Sequence, residues 1–159
     1  MAAAASGTTP ILFQDQFEVK DLSRKFEKVT RYSCRLSEEG YDMSLEMDIN
    51  SDIFPLELND RFTLALASTL ALDGKPDTGV YDQSGIPSLA DQYDYVMYGK
   101  LYKWKQEQPK APIEVQVSFG GLLMRLIGDS HHLEKLHLDS RVYLLIRKIN
   151  QGGADIDMS

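Results

Sequence analysis

Hydrophobic and polar residues alternate along most of the chain. The pattern is cleanest in residues 41–49, YDMSLEMDI, where apolar side chains occupy the odd positions and polar ones the even positions. A period of two is typical of a β-strand with one buried face. The pattern predicts eight strands, at residues 11–20, 28–36, 41–49, 61–69, 93–104, 113–119, 122–127 and 141–149.

Turn-forming residues separate these segments, as at Glu39-Gly40, Asn59-Asp60 and Gly128-Asp129. Short strands with such breaks indicate an all-β fold, an antiparallel barrel or sandwich. Helix is expected only as one turn near SHHLEKLHL. We predict one domain over residues 11–149, between flexible tails at 1–10 and 150–159.

A stretch rich in Gly, Pro, Asp and Ser interrupts the pattern at residues 73–92. Its length fits either a functional Ω-type loop or a disordered insertion.

A second break is the pair Gly120-Gly121, where the apolar positions change from odd to even. A phosphate-binding loop would need a helix to follow, so we predict a β-bulge or a barrel corner there.

Two of the predicted strands are apolar on both faces. In residues 93–104 and 141–149, large side chains occupy odd and even positions alike. The second face needs a cover, which either the chain's own loops or a protein partner could supply. Aromatic residues beside isolated lysines favour a partner. The candidate interface residues are Tyr98, Tyr102, Trp104, Arg125, Tyr143 and Leu145, with Arg125 as a charged anchor.

The net charge is −7 and the pI about 4.9, which argues against a domain that coats nucleic acid by bulk charge. Residues 22–35 are nevertheless basic, and Phe26 and Tyr32 are interspersed among their cations. This composition suits single-stranded nucleic acid, although a solvated edge protected by charge would look the same. The candidate nucleic-acid-binding residues are Arg24, Lys25, Lys28, Arg31 and Arg35.

Nothing in the sequence indicates catalysis. Cys34 is the only cysteine and is expected to be a buried thiol, and His131, His132 and His137 lack the spacing of a metal site. Nucleotide-binding glycine motifs and a nucleophile elbow are missing. We therefore expect no catalytic residue, metal or cofactor. No apolar stretch is long enough to span a membrane, and no secretion signal is evident.

Four stretches carry a resemblance: ILFQDQFEVKD near the start, ADQYDYVMYGKLYK (90–103), VSFGGLLMRLIGD (117–129) and DSRVYLLIRKI (139–149). Together they resemble the eighth subunit of the eukaryotic nuclear RNA polymerases, a small subunit shared by polymerases I, II and III. The likeness runs from about Ile11 to Ile149.

This resemblance implies an OB-fold-related, eight-stranded antiparallel barrel with a long Ω-type loop. It also implies a non-catalytic subunit of the nucleus, including the nucleolus, that docks on the largest polymerase subunit and supports assembly. The family's non-specific binding of single-stranded DNA would fall on residues 22–39. The alternative is an independent single-stranded nucleic-acid-binding OB module.

Overall fold

The computed structural model describes residues 10–36, 43–71 and 88–149. The predicted turn at Glu39-Gly40, the start of the strand predicted at 41–49, most of the segment 73–92 and nearly all of both predicted tails lie outside these residues.

Eight strands form a closed antiparallel barrel in the order β1-β2-β3-β7-β6-β5-β8-β4, which confirms the all-β fold and each predicted strand. The strands are β1 (Ile11–Phe26), β2 (Val29–Leu36), β3 (Ser44–Asn50), β4 (Arg61–Ala67), β5 (Tyr95–Gln106), β6 (Ile113–Phe119), β7 (Leu122–Gly128) and β8 (Arg141–Ile149). The expected helical turn is α1 (Ser130–Leu133), which begins after the N-cap Asp129.

Strand β1 closes the barrel. Its 16 residues pair with β4 from Ile11 to Glu18 and with β2 from Phe17 to Phe26. A register shift between Val19 and Asp21 marks the point where the strand leaves β4. Such a bulge bends a strand and increases its twist, so that a single strand serves both neighbours in turn.

The inward side chains of all eight strands fill the barrel. The largest that are fully buried include Phe17, Tyr32, Phe62, Leu101, Met124 and Leu126. Cys34 is buried among them, as expected, and burial raises the pKa of its thiol to about 12. At neutral pH this thiol therefore stays protonated and serves as a small apolar core residue.

A second, smaller apolar cluster lies on the outside of β4 and β8. A 3-10 helix (Leu89–Gln92), held by a capping box at Ser88, places Leu89 against Ala65, Ala67 and Leu145. Leu145 is completely buried as a result. Its assignment to a partner interface was wrong, because the strand pattern shows that a face is apolar but not what covers it.

The glycine pair forms the turn of a tight hairpin. Phe119 pairs directly with Leu122, and Gly120 and Gly121 both have positive φ, at 65° and 103°, as a two-residue type I′ turn requires. The predicted bulge or barrel corner was wrong. In such a hairpin the paired residues share a face, so an odd position before the turn aligns with an even position after it.

We expect Gly99→Ala to destabilise the barrel by about 2 kcal/mol. Gly99 lies on β5, and an added Cβ would stand 2.1 Å from the carbonyl oxygen of Ser118, which the sheet holds in place. Gly128→Ala is the matched control, because its Cβ would meet the flexible side chain of Met43, 2.5 Å from Cε. Urea unfolding of both variants checks this, and equal losses would contradict it.

Candidate interaction surfaces

The outer face of β5 and β8 carries an aromatic patch, which we define as Val96, Tyr98, Tyr102 and Tyr143. Tyr98 and Tyr143 are paired across the two strands, and their ring centroids lie 4.5 Å apart. Tyr98 is 47% exposed and Tyr102 43%. Tyr143 is partly buried and packs against the second cluster. Among the described residues, 88–93 therefore cover only part of the apolar outer face, and Val96, Tyr98 and Tyr102 stay exposed.

A bulge separates Trp104 from this patch. The pairing of β5 with β6 shifts register between Leu101 and Lys103, which leaves Tyr102 as an additional residue. After the shift Trp104 pairs with Val115, whose side chain is buried in the barrel. Because paired residues share a face, Trp104 points to the inner side. It lines a groove of about 610 Å³ at the barrel end, together with Ile113, Leu136 and Leu138.

A hydrogen-bonded network holds Tyr102 on the outer face. Its hydroxyl donates to Oε1 of Gln116 at 2.7 Å, and the Gln116 amide donates to Glu114 at 2.5 Å. Arg125 donates from Nε to the same Glu114 oxygen at 3.0 Å and lies 3.7 Å from Glu46. The hydrogen bonds from Gln116 and Arg125 lower the pKa of Glu114. Arg125 thus joins β3, β6 and β7, and its guanidinium is already engaged by carboxylates.

Arg31 is likewise committed to a neighbour. Its Nε and Nη2 donate to the two carboxylate oxygens of Asp48 at 2.7 and 3.1 Å, and this hydrogen bonding raises the pKa of Arg31. Asp48 is only 4% exposed, and it also accepts from the backbone N–H of Leu123 at 3.0 Å. Arg31 therefore helps to hold β2, β3 and β7 together through Asp48. Its guanidinium is occupied by this carboxylate, which makes Arg31 a poor candidate for phosphate contact.

The remaining basic candidates lie on the β1-β2 hairpin and are spread along it. Residues 21–28, which we call the tip, are all exposed. Arg24 donates to the carbonyls of Phe26 and Glu27, whereas no ion pair within the described chain involves Lys25 or Lys28. Arg35 lies at the opposite end of β2, about 20 Å away at the rise of a strand.

The tip has one aromatic residue available to a ligand. Phe26 is 73% exposed, whereas Tyr32 is 2% exposed and its hydroxyl accepts from the backbone N–H of Leu56 at 3.0 Å. The expectation that both rings serve a nucleic-acid surface was wrong for Tyr32. It lies at an inward position of β2, so its ring belongs to the core.

The parts of the chain that the structure describes contain no group of three or more His, Cys, Asp or Glu residues arranged to hold a metal ion. In the same parts, no helix is long and apolar enough to cross a membrane.

Comparison with known proteins identifies the family. The family described as RNA polymerase Rpb8 matches residues 14–148. A Dictyostelium discoideum protein named "DNA-directed RNA polymerases I, II, and III subunit rpabc3" is 49% identical and covers 88% of this chain and 99% of its own length. The chain belongs to the RNA polymerase Rpb8 family.

Two further relatives of this Rpb8-family chain come from distant organisms. An Arabidopsis thaliana "DNA-directed RNA polymerases II, IV and V subunit 8B" is 46% identical, over 87% of this chain and 97% of its own. The Saccharomyces cerevisiae "DNA-directed RNA polymerases I, II, and III subunit RPABC3" is 40% identical, over 86% and 97%. The resemblance drawn from the sequence motifs is therefore confirmed.

The match to the Rpb8 family begins inside β1 and ends inside β8. The tip, the aromatic patch and the polar network all lie within it, so these surfaces belong to the family's own domain.

Sequence reasoning missed Asp48 and Glu114. Their only signal was a polar position in an alternating strand, which looks the same for a solvated side chain and for a bonded one.

We expect Asp48→Ala to lower the free energy of unfolding by about 1–3 kcal/mol, because it removes two charge-assisted hydrogen bonds and leaves the Leu123 N–H without its acceptor. Glu46→Ala is the control. Glu46 is 44% exposed and comes no nearer to Arg125 than 3.7 Å, which is too long for a hydrogen bond. Its loss should therefore change the free energy of unfolding by under about 0.5 kcal/mol. Urea denaturation measures both, and a larger loss for Glu46→Ala would contradict the assignment.

Proposed function

We propose that this Rpb8-family chain is a non-catalytic subunit shared by nuclear RNA polymerases, and that it supports assembly by docking on the largest subunit. The names of its relatives as subunits common to several polymerases support the first part. The open aromatic patch on the outer face supports the second. We infer a nuclear location, with the nucleolus included for polymerase I.

The aromatic patch has the properties of an interface core. Tyr98 and Tyr143 lie on paired strands of a closed barrel, so little conformational entropy is lost when a partner covers them. Tyrosine combines a large apolar area with a hydroxyl that can be satisfied across an interface. Lys100 and Arg141 pair with each other on the same two strands and are exposed, and they supply the polar rim that such interfaces have.

The decisive experiment is co-purification. We expect Tyr98→Asp to reduce recovery of the largest polymerase subunit with the tagged chain by at least about tenfold, since a charge would be buried in the interface core. The measurement is quantitative mass spectrometry of the complex purified from nuclear extract. Circular dichroism of the purified variant establishes that the barrel is intact.

Ile53→Asp is the matched control, because Ile53 is an apolar side chain that is 69% exposed and lies in the β3-β4 connection, outside the strands that carry the aromatic patch. It should leave recovery unchanged. Full recovery with Tyr98→Asp would overturn the proposed docking face, and failure of the unsubstituted chain to recover any polymerase subunit would overturn the function. Leu145 is unsuitable as a test position, because its substitution disrupts the covered cluster.

A second candidate function is weak binding of single-stranded nucleic acid at the tip. The observation that favours it is Phe26, which is 73% exposed beside Lys25 and Lys28. An exposed ring can stack on a base while nearby cations meet phosphates. Arg31 is removed from this surface by Asp48, so the tip offers fewer phosphate contacts than the sequence suggested.

With two lysines meeting phosphates, the affinity for oligothymidylate should fall with salt at a log-log slope of about −1.4, at 0.7 per contact. Phe26→Ala should weaken binding by about 1–3 kcal/mol, the contribution of one stacked base. Fluorescence anisotropy over a salt series measures both. Arg31→Gln is the control and should leave the slope unchanged, and a slope near zero or indifference to Phe26→Ala would eliminate the tip as a binding surface.

A further inference from the structure

A small pocket of about 150 Å³ indents the outer face where β1, β2, β3 and β7 adjoin. Its outward residues follow from the strand register: Ser33 pairs with Glu46, Arg35 with Ser44, and Glu46 with Arg125. Two short serine side chains thus stand among long charged ones. The indentation exists because Ser33 and Ser44 do not fill the space that their neighbours enclose.

Cationic side chains dominate the lining of this pocket. Among the described residues, Lys20, Arg35 and Arg125 contribute to it, against one carboxylate, Glu46. Lys20 lies 3.4 Å from Glu18 and is 49% exposed. Arg125 keeps the hydrogen bond from its Nε to Glu114 at 3.0 Å, whereas its Nη1 lies 3.7 Å from Glu46, which is beyond hydrogen-bonding range. Exposed pairs without a hydrogen bond contribute little, so an anion of higher charge can compete for Lys20 and for the terminal nitrogen of Arg125.

An oxyanion is the ligand that this lining fits. Arginine and lysine donors suit the tetrahedral oxygens of a phosphoryl group, and each serine hydroxyl can add a donor. An apolar ligand would have to displace water from three charged side chains, which costs free energy. Among the described lining residues, a divalent cation would meet one carboxylate and three positive charges, which would repel it.

A second cleft of about 400 Å³ adjoins the pocket and shares Arg35, Ser44 and Ile127 with it. This cleft adds Lys110 and Pro112 to one side of the pocket, together with one carboxylate, Asp129. It offers room for the residues on either side of a phosphorylated one, which inorganic phosphate would not use. Among the residues that the structure describes, the lining of neither depression includes an aromatic side chain for a base to stack on.

We propose that this pocket binds the phosphoryl group of a phosphorylated serine or threonine in an extended peptide segment, with Lys20, Arg35 and Arg125 as the charged contacts and Ser33 and Ser44 as hydroxyl donors. The site lies on strands that the barrel holds rigid. It shares no residue with the aromatic patch or the tip, although Arg125 is linked to Tyr102 through Glu114 and Gln116. Phosphorylation of a partner would then add a contact that its unmodified form lacks.

The test is a titration of the purified full-length chain, by calorimetry and by nuclear magnetic resonance. The probes are a short Gly- and Ser-rich peptide with one phosphoserine, the same peptide without phosphate, inorganic phosphate and oligothymidylate. We expect the phosphopeptide to bind at least about tenfold more tightly than inorganic phosphate and to shift the backbone amide signals of Ser33 and Ser44. The unphosphorylated peptide should not bind.

Three variants locate the site. Lys20→Gln should weaken phosphopeptide binding about threefold to tenfold, and Ser44→Asp should abolish it by placing a carboxylate where the phosphoryl group would lie. Lys105→Gln is the control, since Lys105 is an exposed lysine paired with Glu107 elsewhere on the barrel, and it should have no effect. Lys20 is half-exposed, so Lys20→Gln is informative even if Ser44→Asp proves unstable.

Several outcomes would overturn the proposal. Equal affinity for inorganic phosphate and phosphopeptide would reduce the pocket to a general oxyanion site. Displacement of the phosphopeptide by oligothymidylate would mean that the pocket recognises nucleic acid. Absence of binding, or binding that neither Lys20→Gln nor Ser44→Asp changes, would remove the site altogether. None of these outcomes depends on polymerase docking, which the Tyr98→Asp experiment tests separately.

Discussion

The backbone hydrogen bonds of β1 are the constraint on which the rest of the structure depends. One strand pairs with β4 along its first half and with β2 along its second, and this closes the sheet on itself. Closure satisfies strand edges that would otherwise recruit other chains. It also fixes which side chains point inward on all eight strands, and every surface described above is a consequence of that assignment.

Because the interior of the barrel is filled by side chains, the molecule can act only through its outer face and its ends. Contacts between side chains order part of this outer face. Arg31, Asp48, Glu114 and Arg125 join β2, β3, β6 and β7 through side chains as well as through the backbone ladder. A protein that presents such a face loses little freedom when it binds, which suits the docking role that we propose for it.

The alternation of apolar and polar residues predicted all eight strands because a barrel has one dry face and one wet face, and a period of two records that difference directly. The same signal could not predict the outer surface. Leu145 is covered by a segment distant in sequence, and Trp104 changes face because of a one-residue bulge at Tyr102. Arg31 finds its partner across a strand pair. Each of these depends on register, which local pattern does not fix.

The hairpin at Gly120 and Gly121 determines what the chain can tolerate during evolution or engineering. The loop has two residues, both with positive φ, so it joins β6 to β7 by the shortest hairpin connection. Unless a longer loop absorbed it, one inserted residue would move every following side chain of β7 to the opposite face. Met124 and Leu126 would then leave the core and Arg125 would enter it. Peptide tags and fusion partners therefore belong elsewhere on this subunit.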